Sequence, residues 1–434
     1  MSDTKYYFQK KLNNFLVLKE LLILYKNFYS KPEKIKKIQK KKLKKLVKEA
    51  YAIPFYKERF DSVGVTIDDI NEPEDLLKLP VLTKSEYRQF INETMEKNPQ
   101  KYKYFFRDGT SGSSGMPLTL YQSPRERSIT VAKWLREHVI NHYNPVFNKT
   151  FCIISPHRLA AKDSILQNIG LFRRKSVSYL DDIGYIVEEY NKYKPDLFYA
   201  NKSQFVQMCI YAEKNNIELF KPRLYACGAE TMDSISKEMI LRNFGKKGFY
   251  ETYGCAELGI LGYQKAGDQG FYYIADDTNI INVVDSNGKI TDNGAALITS
   301  LYHYSFPLIN YQLGDNLETY SKGGRKYISK VVGRQDDWIK FEDGDMLSFH
   351  TFYELLEKRS EIQQFRIIQE TYNKIVLELV LKTDKEYQKE TLEKIMLDEL
   401  HELIKKENIE YEFSWKDSIP QDKNGKLRML ISKV

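Results

Sequence analysis

The sequence contains few cysteines and no long apolar run. Its four cysteines lie at positions 152, 209, 227 and 255, so none forms the Cys-x-x-Cys pair that is typical of zinc ribbons and redox sites. Near the N-terminus, Lys19 and Glu20 interrupt the apolar residues, and no small-residue cleavage site follows them. We therefore expect buried, reduced cysteines in a cytoplasmic protein that has neither a secretory signal nor a disulfide framework.

The excess of positive charge is confined to one short segment. The chain has 434 residues, with 67 lysines and arginines against 59 aspartates and glutamates. Residues 31–50 hold ten lysines and two glutamates, which accounts for the whole net charge of +8. A nucleic-acid-binding protein needs dispersed basic patches with aromatic residues, so this distribution argues against nucleic acid as a partner. A charged fraction of 29% and an apolar fraction of 42% exclude a disordered or membrane-embedded chain.

Residues 1–50 are predicted to form a basic helical N-terminal extension. This part contains no glycine and a single proline, and its apolar residues from 35 to 47 occupy about half of a helical wheel: Ile35, Ile38, Leu43, Leu46 and Val47. One interpretation is a solvated helix that packs on a globular body. The other is a face that contacts anionic lipid or an acidic partner through residues 31–50. The second interpretation places the protein at the inner face of the membrane.

Short apolar runs alternate with helical stretches between about residues 100 and 300. Predicted strands cover 151–155, 196–200, 223–227, 249–254 and 296–301, and predicted helices cover 124–142, 202–215 and 232–244. This alternation favours an α/β fold with a largely parallel, covered sheet. After Gly333, predicted strands at 364–369, 374–382 and 411–415 and a helix at 386–406 indicate a small α+β unit. We place the two domains at 51–334 and 335–434.

A stretch rich in serine and glycine is the most informative motif: Thr110-Ser111-Gly112-Ser113-Ser114-Gly115. Its glycines let the backbone approach a ligand closely, and its hydroxyl and N–H groups can bond phosphate oxygens. It is not a Walker A loop, because Gly109 and Gly115 are one residue too far apart and no lysine follows Gly115. By itself, such a stretch is also typical of a flexible connector.

Four further motifs follow this loop along the chain. They are Glu251-Thr252-Tyr253-Gly254-Cys255-Ala256-Glu257, Tyr311-Gln312-Leu313-Gly314-Asp315, Gly333-Arg334-Gln335-Asp336-Asp337-Trp338-Ile339-Lys340 and Pro420-Gln421-Asp422-Lys423-Asn424-Gly425-Lys426-Leu427-Arg428. In this order, the five motifs resemble those of the adenylate-forming superfamily, which includes acyl-CoA synthetases and luciferases. Residues 53–60 and 79–84 resemble the N-terminal region of phenylacetate–CoA ligase-like proteins. Residues 304–311 favour the CapK-like branch, which is associated with capsular polysaccharide biosynthesis.

The resemblance implies a fold and a two-step reaction. The fold is a large domain of parallel-rich sheets with helices and a small β-barrel part, followed by a small, mobile α+β domain. The reaction is ATP-dependent activation of a carboxylic acid to an acyl-adenylate with release of pyrophosphate, then transfer of the acyl group to CoA or another acceptor. ATP and Mg²⁺ are the implied cofactors. A small-molecule acid and its acceptor are the expected partners, and homodimer formation is left open.

The resemblance also assigns roles to residues of the five motifs. Residues Thr110 to Gly115 hold phosphates, Gly228, Ala229, Glu230 and Tyr253 line the adenine, Asp315 and Arg334 reach the ribose, and Thr252 and Gly254 also belong to the nucleotide site. Glu257 is the Mg²⁺ ligand, Lys426 is the catalytic lysine, and Asp336 is the hinge about which the small domain rotates. Trp134, His138 and Asn201 are candidates for the acyl pocket, although ordinary core or surface placement explains each of them as well.

Two alternatives stay open from the sequence. An adenylate-forming amide ligase or a carrier-loading enzyme would carry the same motifs without using CoA. A catalytically degenerate scaffold would instead dock through the lysine-rich helix. Ala256 stands where the superfamily has threonine or serine, whose hydroxyl helps to bind phosphate, so we expect weaker nucleotide binding. The presence of Glu257, Asp315, Arg334 and Lys426 together argues against a degenerate protein.

Overall fold

The computed structural model describes residues 6, 7, 9, 12–109, 118–156, 159, 165–334, 338–348, 352, 355, 356, 359, 361–382, 388–404, 406, 408–420 and 428–434. Two compact units make up the chain. Unit 1 consists of Met1–Asn148 and Phe249–Val332, and unit 2 consists of Lys149–Gly248 and Gly333–Val434. The predicted domain boundaries near residues 50 and 335 stay predictions.

Helices and strands cover most of the described chain. The helices are α1 (Asn13–Phe28), α2 (Pro32–Tyr51), α3 (Pro54–Asp61), α4 (Lys84–Lys97), α5 (Pro124–Ile140), α6 (Ile165–Asn168), α7 (Ile183–Tyr193), α8 (Lys202–Lys214), α9 (Ser234–Phe244) and α10 (Lys389–Ile404). The strands are β1 (Phe106–Gly109), β2 (Thr119–Gln122), β3 (Thr150–Ile154), β4 (Arg174–Ser178), β5 (Leu197–Asn201), β6 (Leu224–Gly228), β7 (Phe249–Cys255), β8 (Gly259–Lys265), β9 (Asp268–Ile274), β10 (Asn279–Val284), β11 (Asn293–Ser300), β12 (Tyr311–Lys322), β13 (Arg325–Arg334), β14 (Trp338–Lys340), β15 (Met346–Ser348), β16 (Ile362–Thr371), β17 (Lys374–Leu381), β18 (Glu410–Trp415) and β19 (Leu430–Ser432). Short 3₁₀ turns lie at Ile67–Asp69, Pro73–Lys78 and Pro99–Tyr102.

The N-terminal segment forms two helices where the sequence predicts one. Lys31 is extended, with φ −62° and ψ 149°, and Pro32 begins α2. A proline disfavours helical backbone in the residue before it, so α1 has to end ahead of this point. The predicted apolar face of α2 is buried at Ile35, Leu43, Leu46 and Val47, and Ile38 is partly buried.

Unit 1 contains an antiparallel sheet on which the candidate site is built. Its strands follow the order β10-β11-β12-β13-β9-β8-β7, and the pairs β10–β11, β11–β12, β13–β9, β8–β9 and β7–β8 are antiparallel. The prediction of a largely parallel sheet therefore does not extend to the strands after residue 249. Tight turns join some of these strands, for example at Gly267 with φ +86°, and no connection between residues 249 and 334 contains a helix that would make neighbours parallel.

Unit 2 contains the parallel part of the fold. Strands β6, β5, β3 and β4 lie side by side in that order, and all of their pairs are parallel. Helices α7, α8 and α9 alternate with these strands, and α8 and α9 are the helices predicted at 202–215 and 232–244. The C-terminal part of unit 2 forms a separate sheet in the order β18-β17-β16-β19. Its core includes Leu392, Met396 and Leu400 of α10.

The α/β fold class is confirmed, and the predicted strands and helices agree with the structure to within a few residues at their ends. Cys152, Cys209 and Cys227 are buried, as predicted. Within the described part of the chain, the helices are all too short or too polar to cross a bilayer.

Candidate active site

A tight hairpin in unit 1 carries the motif from Glu251 to Glu257. β7 contains Thr252, Tyr253 and Gly254, and Glu257 lies in the turn before β8. Only glycine fits at position 254, because a Cβ there would lie 2.4 Å from the carbonyl oxygen of Gly259. The close approach of the two strands fixes the turn, and the Glu257 side chain in it is only 6% exposed.

Side-chain contacts join this hairpin to the motif that ends at Asp315. The hydroxyl of Tyr253 donates a hydrogen bond to Oδ2 of Asp315 at 2.8 Å. The hydroxyl of Tyr311 lies 3.5 Å from Oε1 of Glu257. Gly314, with φ +85°, supplies the left-handed backbone that precedes Asp315 on β12. Two motifs that are distant in sequence are therefore neighbours in space within one unit.

Lys84 is a residue of this site that the sequence did not single out. Its Nζ lies 3.5 Å from Oε1 of Glu257, and its side chain is partly buried. Leu82 holds the segment in place, since its N–H donates to the carbonyl of Asn310 and its own carbonyl accepts from the N–H of Gln312. A lysine that follows a helix-capping threonine looks like an ordinary surface residue, so only the resemblance of residues 79–84 could have drawn attention to it.

The thiol of Cys255 shares this environment. Burial, the negative charge of Glu257 and a hydrogen bond to Glu257 all raise the pKa of Cys255 well above its ordinary value. The thiol therefore stays protonated at neutral pH and acts as a hydrogen-bond donor instead of a nucleophile. Cys209 offers a comparison, because burial also raises the pKa of its thiol and Glu257 is not among the groups that affect it.

We expect Glu257→Gln to increase the alkylation rate of Cys255. Removing the negative charge lowers the pKa of the thiol, and each unit of decrease raises the thiolate fraction about tenfold. Peptide mass spectrometry after timed iodoacetamide treatment at mildly alkaline pH measures this rate, with Cys209 as the internal control. Equal labelling of Cys255 in the wild type and the variant would contradict the proposed coupling.

A second group of candidates lies in unit 2, at the carboxyl ends of β5 and β6. Asn201 is paired with Gly228 across the two parallel strands. Ala229 has a left-handed backbone with φ +67°, which is unusual for a residue other than glycine and is common where a binding turn is held under strain. Glu230 accepts hydrogen bonds from the N–H and the hydroxyl of Ser203, at 3.2 and 2.6 Å. Ligands of α/β sheets bind at this end of parallel strands.

The structure places Trp134 and His138 on α5, in the core of unit 1. His138 is fully buried, and its Nδ1 lies 2.5 Å from the hydroxyl of Tyr250. Its ring packs edge-on against Trp134, with the centroids 4.3 Å apart. These contacts are those of a packed core, so an acyl-pocket role for either residue stays a prediction without added support from the geometry.

Several predicted site residues lie outside the described residues. These are Thr110, Ser111, Gly112, Ser113, Ser114, Gly115, the hinge residue Asp336 and the lysine Lys426. The strands on either side of the first group are described, and Gly109 of β1 pairs with Thr119 of β2 in antiparallel register. Arg334 is the last residue of β13.

Sequence comparison finds relatives of the predicted kind. Residues 342–433 match the family model of the CapK C-terminal domain. Protein CapK of Staphylococcus aureus is 21% identical over 403 residues, which cover 89% of this chain and 85% of that protein. Phenylacetate-coenzyme A ligase of Pseudomonas putida is 24% identical over 326 residues, which cover 69% of this chain and 71% of that protein.

Comparison with solved structures supports the same fold. A 2-hydroxyisobutyryl-CoA ligase in the postadenylation state, in complex with 2-HIB-AMP, matches with a TM-score of 0.73 at 17% identity, over 92% of this chain and 89% of that one. An anthranilate CoA ligase in complex with anthranoyl-AMP matches with a TM-score of 0.55 at 14% identity, over 75% of this chain and 66% of that one. The predicted resemblance to adenylate-forming, acid–CoA ligase-like enzymes is therefore confirmed.

Proposed function

We propose that this acid–CoA ligase-like chain uses ATP to activate a carboxylic acid as an acyl-adenylate and then transfers the acyl group to CoA or to another acceptor. In the first step, a carboxylate oxygen attacks the α-phosphorus of ATP and pyrophosphate leaves. In the second step, a thiol or amine of the acceptor loses its proton and attacks the acyl carbon, and AMP leaves. The similarity to CapK supports a role in surface polysaccharide biosynthesis.

One observation carries this proposal. Tyr253 and Glu257 come from one motif, Tyr311 and Asp315 come from another, and the Tyr253–Asp315 and Tyr311–Glu257 contacts bring the two together in unit 1. A chance match of two separate sequence motifs would not require their polar side chains to meet in the folded chain. The meeting of an aromatic ring and two carboxylates suits a ligand that has a flat base, a diol and a phosphate chain.

The roles at the nucleoside follow from the chemistry of each side chain. Tyr253 offers a flat ring to the adenine. Asp315 accepts hydrogen bonds from the two ribose hydroxyls, in place of or beside the bond from Tyr253. On the resemblance, we assign the turn from Gly228 to Glu230 to the adenine and we assign Thr252 and Gly254 to nucleotide binding. We assign Arg334 to the ribose on the resemblance alone.

We assign the phosphates to the serine-rich loop and Mg²⁺ to Glu257. Mg²⁺ prefers hard oxygen ligands, and it is commonly held by one or two carboxylates together with the substrate's phosphates. The buried Glu257 carboxylate is a ligand of this kind, and Tyr311 and Lys84 both approach its Oε1 atom. When bound, the metal supplies positive charge to the phosphate oxygens. The hydroxyls of Ser111, Ser113 and Ser114 and the loop amides are assigned to the β- and γ-phosphates.

Lys426 is assigned to the reacting centre. Its ammonium would contact both the acid's carboxylate and the α-phosphate, where negative charge builds up as the new bond forms. Preorganised positive charge at this position lowers the barrier more than it stabilises the bound substrates. Asp336 is assigned to the hinge that exchanges Lys426 for the acceptor between the two steps.

A pyrophosphate-release screen tests the proposal. The purified chain, with ATP and Mg²⁺, is supplied with a panel of aromatic, hydroxylated and short aliphatic acids, and pyrophosphate is measured for each acid. We expect release that depends on at least one acid, and mass spectrometry with CoA or with candidate amines then identifies the acceptor. Failure of every acid, together with an unchanged Lys426→Ala variant in all assays, would overturn the ligase function and favour a scaffold.

Lys84 gives a sharper prediction about the phosphate site. Because its ammonium lies 3.5 Å from Glu257, it both orients that carboxylate and adds positive charge near the phosphates. We expect Lys84→Ala to lower kcat/KM for ATP by about tenfold to a hundredfold, mostly through a higher KM for the Mg²⁺ complex. Steady-state kinetics at varied Mg²⁺ concentration measures the split between KM and kcat.

The matched control for Lys84 is Lys97→Ala. Lys97 is an exposed lysine at the other end of the same helix, so its loss tests helix charge without touching Glu257. Lys84→Arg should recover part of the lost affinity, because it restores the positive charge. A Lys84→Ala variant with wild-type kinetics would show that the lysine has no part in nucleotide binding.

A further inference from the structure

The outer side of α1 is apolar, which is unusual for a surface helix. Phe15, Leu18, Leu22, Tyr25 and Tyr29 recur at intervals of three or four residues, so they form one stripe along the helix, which we call the α1 stripe. Phe15 is 67% exposed and Leu22 is 62% exposed. The opposite side of α1 is buried against unit 1, where Leu21 and Leu24 pack on Ala132 of α5. The stripe is therefore not needed to hold α1 on unit 1.

Exposed lysines accompany the α1 stripe. Lys19 and Lys26 lie on the exposed side of α1 itself. The next helix, α2, exposes Lys37, Lys41, Lys44 and Lys48 at intervals that place them on one side, and we call these the α2 lysines. The apolar residues on the other side of α2 pack in the core of unit 1. Much of the net positive charge of the protein thus lies on α2, the helix that follows the α1 stripe along the chain.

We propose that the α1 stripe and the α2 lysines form a peripheral binding surface for an anionic lipid bilayer. The aromatic and leucine side chains of the stripe would enter the boundary between headgroups and acyl chains, and the lysines would contact the headgroup phosphates. Helices that lie in a membrane interface combine these two features, with phenylalanine and leucine on one side and lysines beside them. This surface is independent of the nucleotide site.

The positive charge of the α2 lysines favours an anionic bilayer over a second copy of the chain or an acidic protein as the binding partner. A second copy of the chain would bring a second set of α2 lysines to the interface, and the like charges would repel each other. An acidic protein could neutralise the lysines, but it would not by itself account for large apolar side chains exposed along four turns of helix. A fluid bilayer surface accepts side chains of this kind and supplies the negative charge at the same time.

Vesicle flotation with the full chain tests this surface. The wild type should float with vesicles that contain phosphatidylglycerol, should float much less with pure phosphatidylcholine vesicles, and should be released by high salt. Phe15→Ser combined with Leu22→Ser should reduce the fraction bound by about tenfold or more, and replacement of all four α2 lysines by glutamine should do the same. Each variant is first checked for an unchanged melting temperature.

Two matched control variants keep the test specific. Ile169→Ser with Leu180→Ser removes apolar residues of unit 2 that are 65% and 67% exposed. Glutamine at positions 192, 194, 246 and 247 removes four exposed lysines of unit 2. Both controls should float like the wild type. Leu22→Trp should also show a blue-shifted emission on addition of the anionic vesicles, whereas Leu180→Trp should not.

The proposal fails if the wild type does not float with anionic vesicles, if the controls lose binding as strongly as the surface variants, or if pure phosphatidylcholine vesicles bind the chain equally well. Retention by an acidic protein column without any vesicle binding would likewise overturn it and identify the basic surface as a protein-docking site.

Discussion

Lys426→Ala should lower the rate of acid-dependent pyrophosphate formation by about 10²–10³-fold. The lysine is the one side chain assigned to the oxygens on which charge develops during adenylation, so its loss affects the transition state and not the binding of ATP. We therefore expect kcat to fall while KM for ATP changes little. Stopped-flow or steady-state measurement of pyrophosphate separates the two quantities.

The second half-reaction provides the control for Lys426. Since Lys426 is assigned to adenylation alone, the variant should form product from a supplied acyl-adenylate and acceptor at a rate close to that of the wild type. Lys433→Ala removes another lysine of the C-terminal segment, one that pairs with Glu370 on the surface, and should leave both steps unchanged. Equal loss of both half-reactions in Lys426→Ala would refute its assignment to the first step.

Asp277→Asn should destabilise the protein by about 3–5 kcal/mol, the cost of leaving a buried charge without its partner. Asp277 and Arg136 are both almost fully buried, and Nη1 of Arg136 lies 2.7 Å from Oδ1 of Asp277. Asn27 of α1 donates to Oδ2 at 3.0 Å, and Nζ of Lys42 donates to the backbone carbonyl at 2.6 Å. The loss should therefore loosen α1 first, because Asn27 of α1 bonds the carboxylate that the variant lacks. Urea unfolding followed by circular dichroism measures it.

The effect of Asp277 depends on pH in a defined direction. Burial alone would raise the pKa of Asp277, but the charges of Arg136 and Lys42 and the hydrogen bonds from Arg136 and Asn27 outweigh it and hold the pKa below its ordinary value. The contribution of Asp277 to stability is therefore present above the unfolded-state pKa of about 4 and is lost as pH falls below it. The difference between wild type and variant should shrink in that range.

The neighbouring carboxylate, that of Asp276, has the opposite effect on stability at neutral pH. Burial and the charge of Asp277 raise the pKa of Asp276 to about 6, so its ionised form opposes folding at pH 7. Asp276→Asn should leave stability unchanged or increase it at that pH. If Asp277→Asn has as small an effect as Asp276→Asn, the buried ion pair does not hold the N-terminal helices.

Much of the fold follows from local sequence patterns. Short apolar runs bounded by helical stretches correctly predict β3, β5 and β6, and the alternation of apolar residues from Ile375 to Leu381 predicts β17. The direction of strand pairing is less local. Between residues 249 and 334, the predicted runs at 249–254 and 296–301 lie in strands that pair antiparallel, because the connections between these strands contain no helix.

The candidate site was predictable in its members but not in its geometry. The motif resemblance names Tyr253, Glu257 and Asp315, and the structure adds that Tyr253 and Asp315 share a hydrogen bond. The approach of Lys84 to Glu257 depends on backbone pairing between residues 82 and 310–312. Contacts of this kind join segments more than two hundred residues apart, and no local pattern encodes them.

The N-terminal extension shows a limit of periodicity. The apolar spacing of α2 correctly predicts its buried face, but α1 carries apolar residues on both sides, so its sequence does not reveal which side is exposed. Packing of Leu21 and Leu24 on α5 decides that question. The exposed stripe is visible only once this packing is known.

The fate of the acid's oxygen atoms tests most directly whether the chain forms an acyl-adenylate. When an acid that turns over is supplied with ¹⁸O in both carboxylate oxygens, attack on the α-phosphorus leaves one labelled oxygen on the phosphate after acyl transfer. Mass spectrometry should therefore find AMP that carries one ¹⁸O atom and pyrophosphate that carries none. Unlabelled AMP, or label in inorganic phosphate together with ADP, would contradict an acyl-adenylate intermediate.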